Sequence, residues 1–144
     1  MTDPDTRTVE RTLRIAARPE TVWRFWTDPG RMSEWWGPAD LDPRPGGVCR
    51  VEMGGAAAME GEFLELVPYE RIVFSLGWEP VGPDGGTAVP AGSTRVEVTL
   101  RADGGDTVLT LRHTRIPAGH DEEHRAGWAH FLPRMAELAV AVTG

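Results

Sequence analysis

The stretch DEEHRAGWAHFLPRMAELAVAV, residues 121–142, decides the fold of this 144-residue chain. Its apolar residues recur at intervals of three and four, which predicts an amphipathic helix from about residue 118 to residue 142. Asp121 and the two glutamates after it suit the positive end of the helix dipole, and Pro133 should kink the helix. The predicted apolar stripe consists of Trp128, Phe131, Leu132, Met135, Leu138, Ala139 and Val142.

Upstream of this helix lie five short apolar segments separated by turn residues, a spacing typical of a strand meander. Gly104 and Gly105 predict a tight hairpin between the last two segments. The Gly- and Pro-rich residues 79–93 predict the longest loop. The five predicted strands span residues 48–53, 59–67, 71–78, 93–101 and 107–115.

The beginning of the chain predicts one further strand and two short helices. Residues 8–16 alternate between apolar and polar, as a half-buried strand does, with an irregularity near Arg11. Pro19 suits the first turn of a helix over residues 19–27, and a second short helix over residues 30–36 ends before Gly37 and Pro38. Residues 1–6 predict a flexible tail.

Together these elements predict a single α+β domain over residues 1–144. Strands joined by short turns form an antiparallel sheet, here of about six strands, and one face of such a sheet must be covered. Only the C-terminal helix is long enough to cover it. We therefore expect a curved sheet wrapped around that helix, with the two short helices between strands 1 and 2 and an apolar pocket at the open end.

Charge and composition restrict the partners. The net charge of −7 disfavours nucleic acid and anionic membrane surfaces, whose binders need clustered cations. All fifteen basic residues are arginine, which excludes Schiff-base chemistry on a lysine. Cys49 is the only cysteine, so no intramolecular disulfide can form. Because we find neither a signal segment nor an apolar run of about 20 residues, we expect a cytoplasmic protein without a membrane span.

Several stretches along the chain form recognisable motifs: RPETVWRFWTDP at 18–29, EWWGP at 34–38, Gly46-Gly47, GEFLELVPYERIVF at 61–74, Trp78, and HRAGW at 124–128. They resemble motifs of the START-like (SRPBCC) superfamily, in particular the branch named after the activator of the heat-shock chaperone ATPase. The resemblance covers nearly the whole chain and implies the helix-grip fold, with a pocket between the sheet and the C-terminal helix. It implies little about activity, because proteins of this shape include lipid carriers, hormone receptors, cyclases and co-chaperones.

Aromatic and sulfur-containing side chains are the first candidates for lining that pocket. Six tryptophans in a chain of this length is a high number, and indole offers a large apolar surface with one N–H donor. Ordinary core filling is the competing interpretation, and for Trp23 we favour it. The apolar residues predicted to contact a ligand are Trp36, Met53, Phe74, Trp78, Trp128, Phe131, Leu132 and Met135.

Two polar residues complete the predicted ligand-binding set. His113 alternates in phase with Leu109 and Leu111, so it can face the pocket as a polar anchor or a proton carrier, or be a satisfied core histidine. Glu62 shares a strand face with Leu64 and Leu66, where an inward carboxyl group would have a raised pKa. A bulge at Gly61 would instead turn Glu62 toward water.

His120 and His124 formally fit the zinc-protease pattern H-x-x-E-H. Because the pattern falls at the start of the helix and no third ligand is evident, we interpret it as a solvated helix start and expect no metal and no other cofactor. Cys49 has no neighbouring base in the sequence, and we interpret it as a core residue.

Three hypotheses of function follow. The first, which we favour over an enzyme, is a carrier, sensor or stress-related protein that binds a small hydrophobic or aromatic molecule. The second is a cyclase- or dehydratase-type enzyme in which His113 and Glu62 steer a proton. The third is a co-chaperone-like interaction module; since full activators of the resembled branch have an additional N-terminal domain that this chain lacks, we expect no ATPase stimulation. An exposed sheet edge would allow a homodimer.

Overall fold

A computed structural model describes residues 6–53, 57–79 and 89–143 of the chain. Within these residues seven strands and three helices follow one another in the predicted order: strand, two short helices, further strands and a long helix. The strands are β1 (Thr6–Ile15), β2 (Ala39–Leu41), β3 (Val48–Val51), β4 (Met59–Val67), β5 (Arg71–Trp78), β6 (Thr94–Asp103) and β7 (Asp106–Pro117). The helices are α1 (Pro19–Thr27), α2 (Pro29–Trp35) and α3 (Asp121–Thr143).

The strands form one antiparallel sheet in the order β1-β7-β6-β5-β4-β3-β2. Every strand from β2 to β7 therefore pairs with its neighbour in the chain, and β1 closes onto β7. The predicted meander is confirmed, with one more strand than expected. The additional strand, β2, has only three residues and pairs Ala39 with Val51 of β3, so it is too short to show an alternating pattern in the sequence.

β1 differs from its prediction at two points. It begins at Thr6, so the expected tail is wrong for that residue, and residues 1–5 lie outside the described part of the chain. The irregularity lies between Arg7 and Val9 rather than near Arg11. Opposite it, Arg115 takes a φ of 66°, as a bulged residue in the left-handed region does. The bulge lets both His113 and Ile116 of β7 face the core, where each is 0% exposed.

α3 covers the inner face of the sheet and starts three residues later than predicted, after Gly119 at a φ of 92°. Val142, placed in the apolar stripe by the sequence, is 45% exposed, and that prediction is wrong. His124 is buried although it was assigned to a solvated helix start. The stripe that the fold buries is His124, Trp128, Leu132, Met135 and Ala139.

α1 and α2 close the remaining side of the core. Asp28 links them: its backbone N–H caps the end of α1 and its side chain accepts a hydrogen bond from the Gly30 N–H at the start of α2, at 2.9 Å. The Trp35 Nε1–H donates to the Phe25 carbonyl oxygen at 2.8 Å, which fixes the two helices against each other. Of the predicted long loop, residues 80–88 lie outside the described part.

No helix in the described part of the chain combines the length and apolar character that a membrane crossing requires.

Candidate ligand-binding site

Four indoles and one phenyl ring form a continuous aromatic cluster between α1, α2, α3 and β5. The ring centroids of Trp26 and Trp35 lie 4.9 Å apart, and those of Trp35 and Trp36 lie 5.3 Å apart. Trp128 of α3 lies 5.2 Å from Trp36 and 6.2 Å from Trp26. Phe74 of β5 lies 6.3 Å from both Trp26 and Trp36. We call these five residues the aromatic cluster; they fill the deep part of the sheet–helix interface.

All five members of the aromatic cluster are buried. Trp26, Trp35 and Phe74 are each 1% exposed, Trp128 is 4% exposed and Trp36 is 7% exposed. Three further large apolar side chains are only partly buried and pack against the core: Met53, Trp78 and Phe131.

We call Met53, Trp78 and Phe131 the rim. Trp78 ends β5 and pairs with Met59, which also pairs with Val51 at the end of β3, two residues before Met53. Phe131 lies three residues after Trp128 in α3. The sequence predicted all three as ligand contacts, together with Leu132 and Met135, which are each 0% exposed.

A chain of hydrogen bonds fixes His113 inside the core. The Trp128 Nε1–H donates to His113 Nδ1 at 3.1 Å, and because an indole nitrogen can only donate, Nδ1 carries no proton. His113 Nε2–H therefore donates to Thr94 Oγ1 at 2.8 Å. The Thr94 hydroxyl in turn donates to the Leu76 carbonyl oxygen at 2.6 Å. These bonds connect α3 to β7, β6 and β5 in one network.

Burial, and secondarily the neighbouring His124, lowers the pKa of His113 to about 3. Its imidazole is therefore neutral near pH 7, and a proton added at Nδ1 would face the Trp128 N–H, donor against donor. Of the interpretations left open for His113, this geometry favours a satisfied core histidine over a polar anchor or a proton carrier.

His124 forms a second pair of this kind. The Trp78 Nε1–H donates to His124 Nε2 at 3.1 Å, and His124 Nδ1–H donates to the His120 carbonyl oxygen at 2.6 Å. The two imidazole rings, of His113 and His124, meet edge to face at 5.2 Å. Both ring nitrogens of His124 are thus engaged, while His120 pairs with Glu123 at 2.8 Å.

The H-x-x-E-H histidines are therefore not poised as joint metal ligands. In the described residues no group of three or more His, Cys, Asp or Glu side chains is arranged to hold a metal ion. The sequence contained a signal for the true role of His124, because it precedes Trp128 by four residues and so belongs to the apolar stripe. Trp26 and Thr94 were also missed: an indole inside a Trp-rich helix and a strand threonine carry no distinctive pattern.

Glu62 does not belong to this site. Its side chain is exposed, and it borders an open depression of about 430 Å³ on the outer face of the sheet, together with Glu60, Ser75 and Arg95. The prediction that Glu62 faces the apolar pocket is wrong. The bulge of β4 falls between Phe63 and Glu65 rather than at Gly61, so Phe63 points inward and Glu62 outward.

The architecture, a curved antiparallel sheet whose inner face is covered by a long C-terminal helix, defines a helix-grip protein of the START-like class. The chain belongs to the family described as "Activator of Hsp90 ATPase homolog 1-like protein", whose model matches residues 16–139. The resemblance stated from the motifs is thereby confirmed.

Solved structures agree with this assignment. The AHSA1-like protein RHE_CH02687 from Rhizobium etli is 39% identical, with a TM-score of 0.72 over 94% of this chain and 83% of that one. Protein MLL2253 from Mesorhizobium loti shares the fold at a TM-score of 0.80 and 20% identity, over 96% and 99% of the two chains. DynU16, from the dynemicin biosynthetic locus, is 26% identical at a TM-score of 0.75; the match covers 90% of this chain and 46% of DynU16. Among curated protein sequences, none matches this chain.

Proposed function

We propose that the protein binds a small, neutral, apolar or aromatic molecule at the rim, over the aromatic cluster, as a carrier or sensor. The observation that carries this proposal is that Met53, Trp78 and Phe131, three large side chains packed against the core, stay partly exposed. Trp78 and Phe131 lie on β5 and α3, the elements that also carry Phe74 and Trp128 of the aromatic cluster. Concave apolar surfaces with a few placed polar groups are the usual form of small-molecule sites.

The polar groups beside the rim suit a neutral ligand. His113 is buried, and its low pKa keeps it uncharged near pH 7. Both of its ring nitrogens form hydrogen bonds within the protein. A charged ligand would have to leave water without an opposite charge to meet it, which is costly. The membership of DynU16 in a biosynthetic locus supports the same view, since such loci handle small molecules.

The rival hypotheses have weaker support. The enzyme hypothesis needed His113 and Glu62 near one bound molecule, and these residues lie on opposite faces of the sheet. The co-chaperone hypothesis rests on the family description alone. The homodimer and the cytoplasmic location stay predictions.

Two uncharged probes of nearly equal size, 1-ethylnaphthalene and 1-acetonaphthone, test the proposal by titration against ¹⁵N-labelled protein. The expected result is saturable shifts of the indole N–H signals of Trp36, Trp78 and Trp128. Trp23 contacts Tyr69 at 5.9 Å, outside the aromatic cluster, and its signal should stay still. If neither probe shifts these signals in a saturable way, the proposed function is overturned for this class of ligand.

A pair of variants on α3 provides the control. Phe131→Gln removes apolar contact at the rim and should weaken binding about tenfold, because one buried aromatic side chain contributes roughly 1.5–3 kcal/mol. Val140→Gln, at a position that is 41% exposed on the same helix, should leave affinity unchanged. Equal weakening by both variants would mean that the probes do not bind at the rim.

A further inference from the structure

We propose that the ligand of this site carries a hydrogen-bond acceptor, such as a ketone or ether oxygen, which binds the Nε1–H of Trp26. The inference rests on the proposed function and specifies its ligand class: a flat, neutral, apolar frame with one acceptor. Two buried side-chain donors in the described residues lack a hydrogen-bond partner, Trp26 Nε1 and Arg95 Nε. Arg95 Nε lies 3.4 Å from the carboxylate of Glu97, so the inference comes from Trp26.

Trp26 is 1% exposed, and its Nε1–H has no hydrogen-bond partner among the residues that the structure describes. Three other indoles, by contrast, each have an acceptor: Trp35 donates to the Phe25 carbonyl, Trp78 to His124 and Trp128 to His113. Buried donors in native proteins are nearly always paired, so the unpaired N–H of Trp26 requires an explanation.

The aromatic neighbours of Trp26 cannot supply the missing acceptor. Its ring contacts are Trp35, Phe74 and Trp128, whose side chains offer carbon faces and N–H donors only. Two buried imidazole acceptors, His113 Nδ1 and His124 Nε2, are already used by other indoles. Turning either imidazole toward Trp26 would leave the N–H of another indole unpaired, so the number of unpaired donors would not fall.

A trapped water molecule is a poorer explanation than a ligand. A buried water needs two to four polar partners, and the ring neighbours of Trp26 are aromatic. A ligand oxygen attached to an apolar frame needs only the one donor, because the frame itself contacts the rings. The acceptor must be neutral for the reason given above for the rim.

Trp26 shares two ring neighbours with Trp36, the most exposed member of the aromatic cluster at 7%. These neighbours are Phe74 and Trp128. A frame the size of naphthalene that contacts Trp36 can therefore direct a substituent toward Trp26.

The two probes named above separate this inference from the proposed function. 1-Acetonaphthone has a carbonyl group at the position where 1-ethylnaphthalene has a CH₂ group, and the two molecules are otherwise alike. We expect the ketone to bind about tenfold more tightly, the effect of one hydrogen bond to a donor that is otherwise unpaired. We also expect it alone to move the Trp26 N–H proton signal downfield, as a new hydrogen bond does.

Matched variants locate the effect. Trp26→Phe removes the unpaired N–H and should bind both probes equally. Trp23→Phe removes an indole N–H outside the aromatic cluster, where Trp23 contacts Tyr69, and should keep the preference for the ketone. Should Trp26→Phe fail to fold, the downfield shift of the Trp26 signal in the unaltered protein decides the question.

Each outcome has a consequence. If both probes bind equally and the Trp26 signal is unmoved by the ketone, the inference is overturned and the proposed function stands. A Trp26→Phe protein that keeps the ketone preference overturns it as well. If neither probe binds, the proposed function and the inference fall together.

Discussion

The two halves of α3 bury different kinds of side chain against the same sheet. In the first half, His124 and Trp128 form hydrogen bonds with Trp78 of β5 and His113 of β7. In the second half, Leu132 and Met135 are 0% exposed and contribute apolar surface. Hydrogen bonds depend on the direction of donor and acceptor, whereas apolar burial depends mainly on area and volume. We infer that the first half orients α3 on the sheet and that the second half supplies most of its binding energy.

The largest effect should come from the apolar half. Leu132→Ala leaves a cavity in a closed part of the core and should lower the free energy of unfolding by about 2–5 kcal/mol. Leu138→Ala, at a partly buried position of the same helix, is the matched control and should cost less. Urea unfolding followed by circular dichroism measures both. Equal costs would mean that the second half of α3 is not packed as described.

A smaller effect is expected from the hydrogen-bonded half. Trp128→Phe keeps most of the ring but leaves His113 Nδ1 buried without a donor, which should cost about 1–3 kcal/mol. In a double-mutant cycle with His113→Phe, the double variant should lose less than the sum of the two single losses, because no unpaired acceptor remains. Additive losses would show that the Trp128–His113 hydrogen bond contributes nothing to stability.

The same half should make stability depend on pH. Burial lowers the pKa of His113 from 6.5 to about 3. Between these pH values, the imidazole of His113 binds a proton in the unfolded chain but not in the folded chain. Stability is therefore fully present above pH 6.5 and is lost as the pH falls toward 3, by up to ~1.4 kcal/mol per pH unit. Urea unfolding measures this slope when the wild-type protein and His113→Phe are compared between about pH 4.5 and about pH 7.5, in steps of about half a pH unit. A variant with the wild-type slope would contradict the assignment to His113.

The smallest effect should come from the exposed end of α3. Val142 belongs to the apolar stripe by sequence spacing but is 45% exposed in the fold. Val142→Ser should therefore change the free energy of unfolding by less than ~0.5 kcal/mol. A loss comparable to that of Leu138→Ala would favour the sequence-based interpretation and would extend the packed half of α3 by a turn.

Much of the fold was predictable because it depends on periodic patterns. Intervals of three and four placed α3, and turn residues separated the strands of the meander. The errors fall where the period breaks. In β4, Leu64 and Leu66 suggested an inward face that would include Glu62, but the bulge makes Phe63 and Leu66 the inward residues. A single extra residue changes which side chains face the core, and the sequence does not mark its position.

The sequence predicted part of the aromatic cluster, but not the polar contacts around it. Trp36, Phe74, Trp78, Trp128 and His113 were selected from their elements and from residue type, and the fold brings them together. Which indole donates to which imidazole depends on angles and distances between residues far apart in the chain. His124 shows the limit. Its spacing from Trp128 places it on the buried stripe, but the sequence also fits a metal motif there and does not predict the hydrogen bond from Trp78.

By itself, the sequence determined the class of fold, the order of its elements and the apolar stripe of α3, because local periodicity and turn chemistry act over a few neighbouring residues. Only the tertiary structure decided that Glu62 faces water, that His113 is held neutral by Trp128 and Thr94, and that Trp26 is left without an acceptor. These properties depend on which groups meet across the core, and a hydrogen bond forms or fails according to distances that no local pattern encodes.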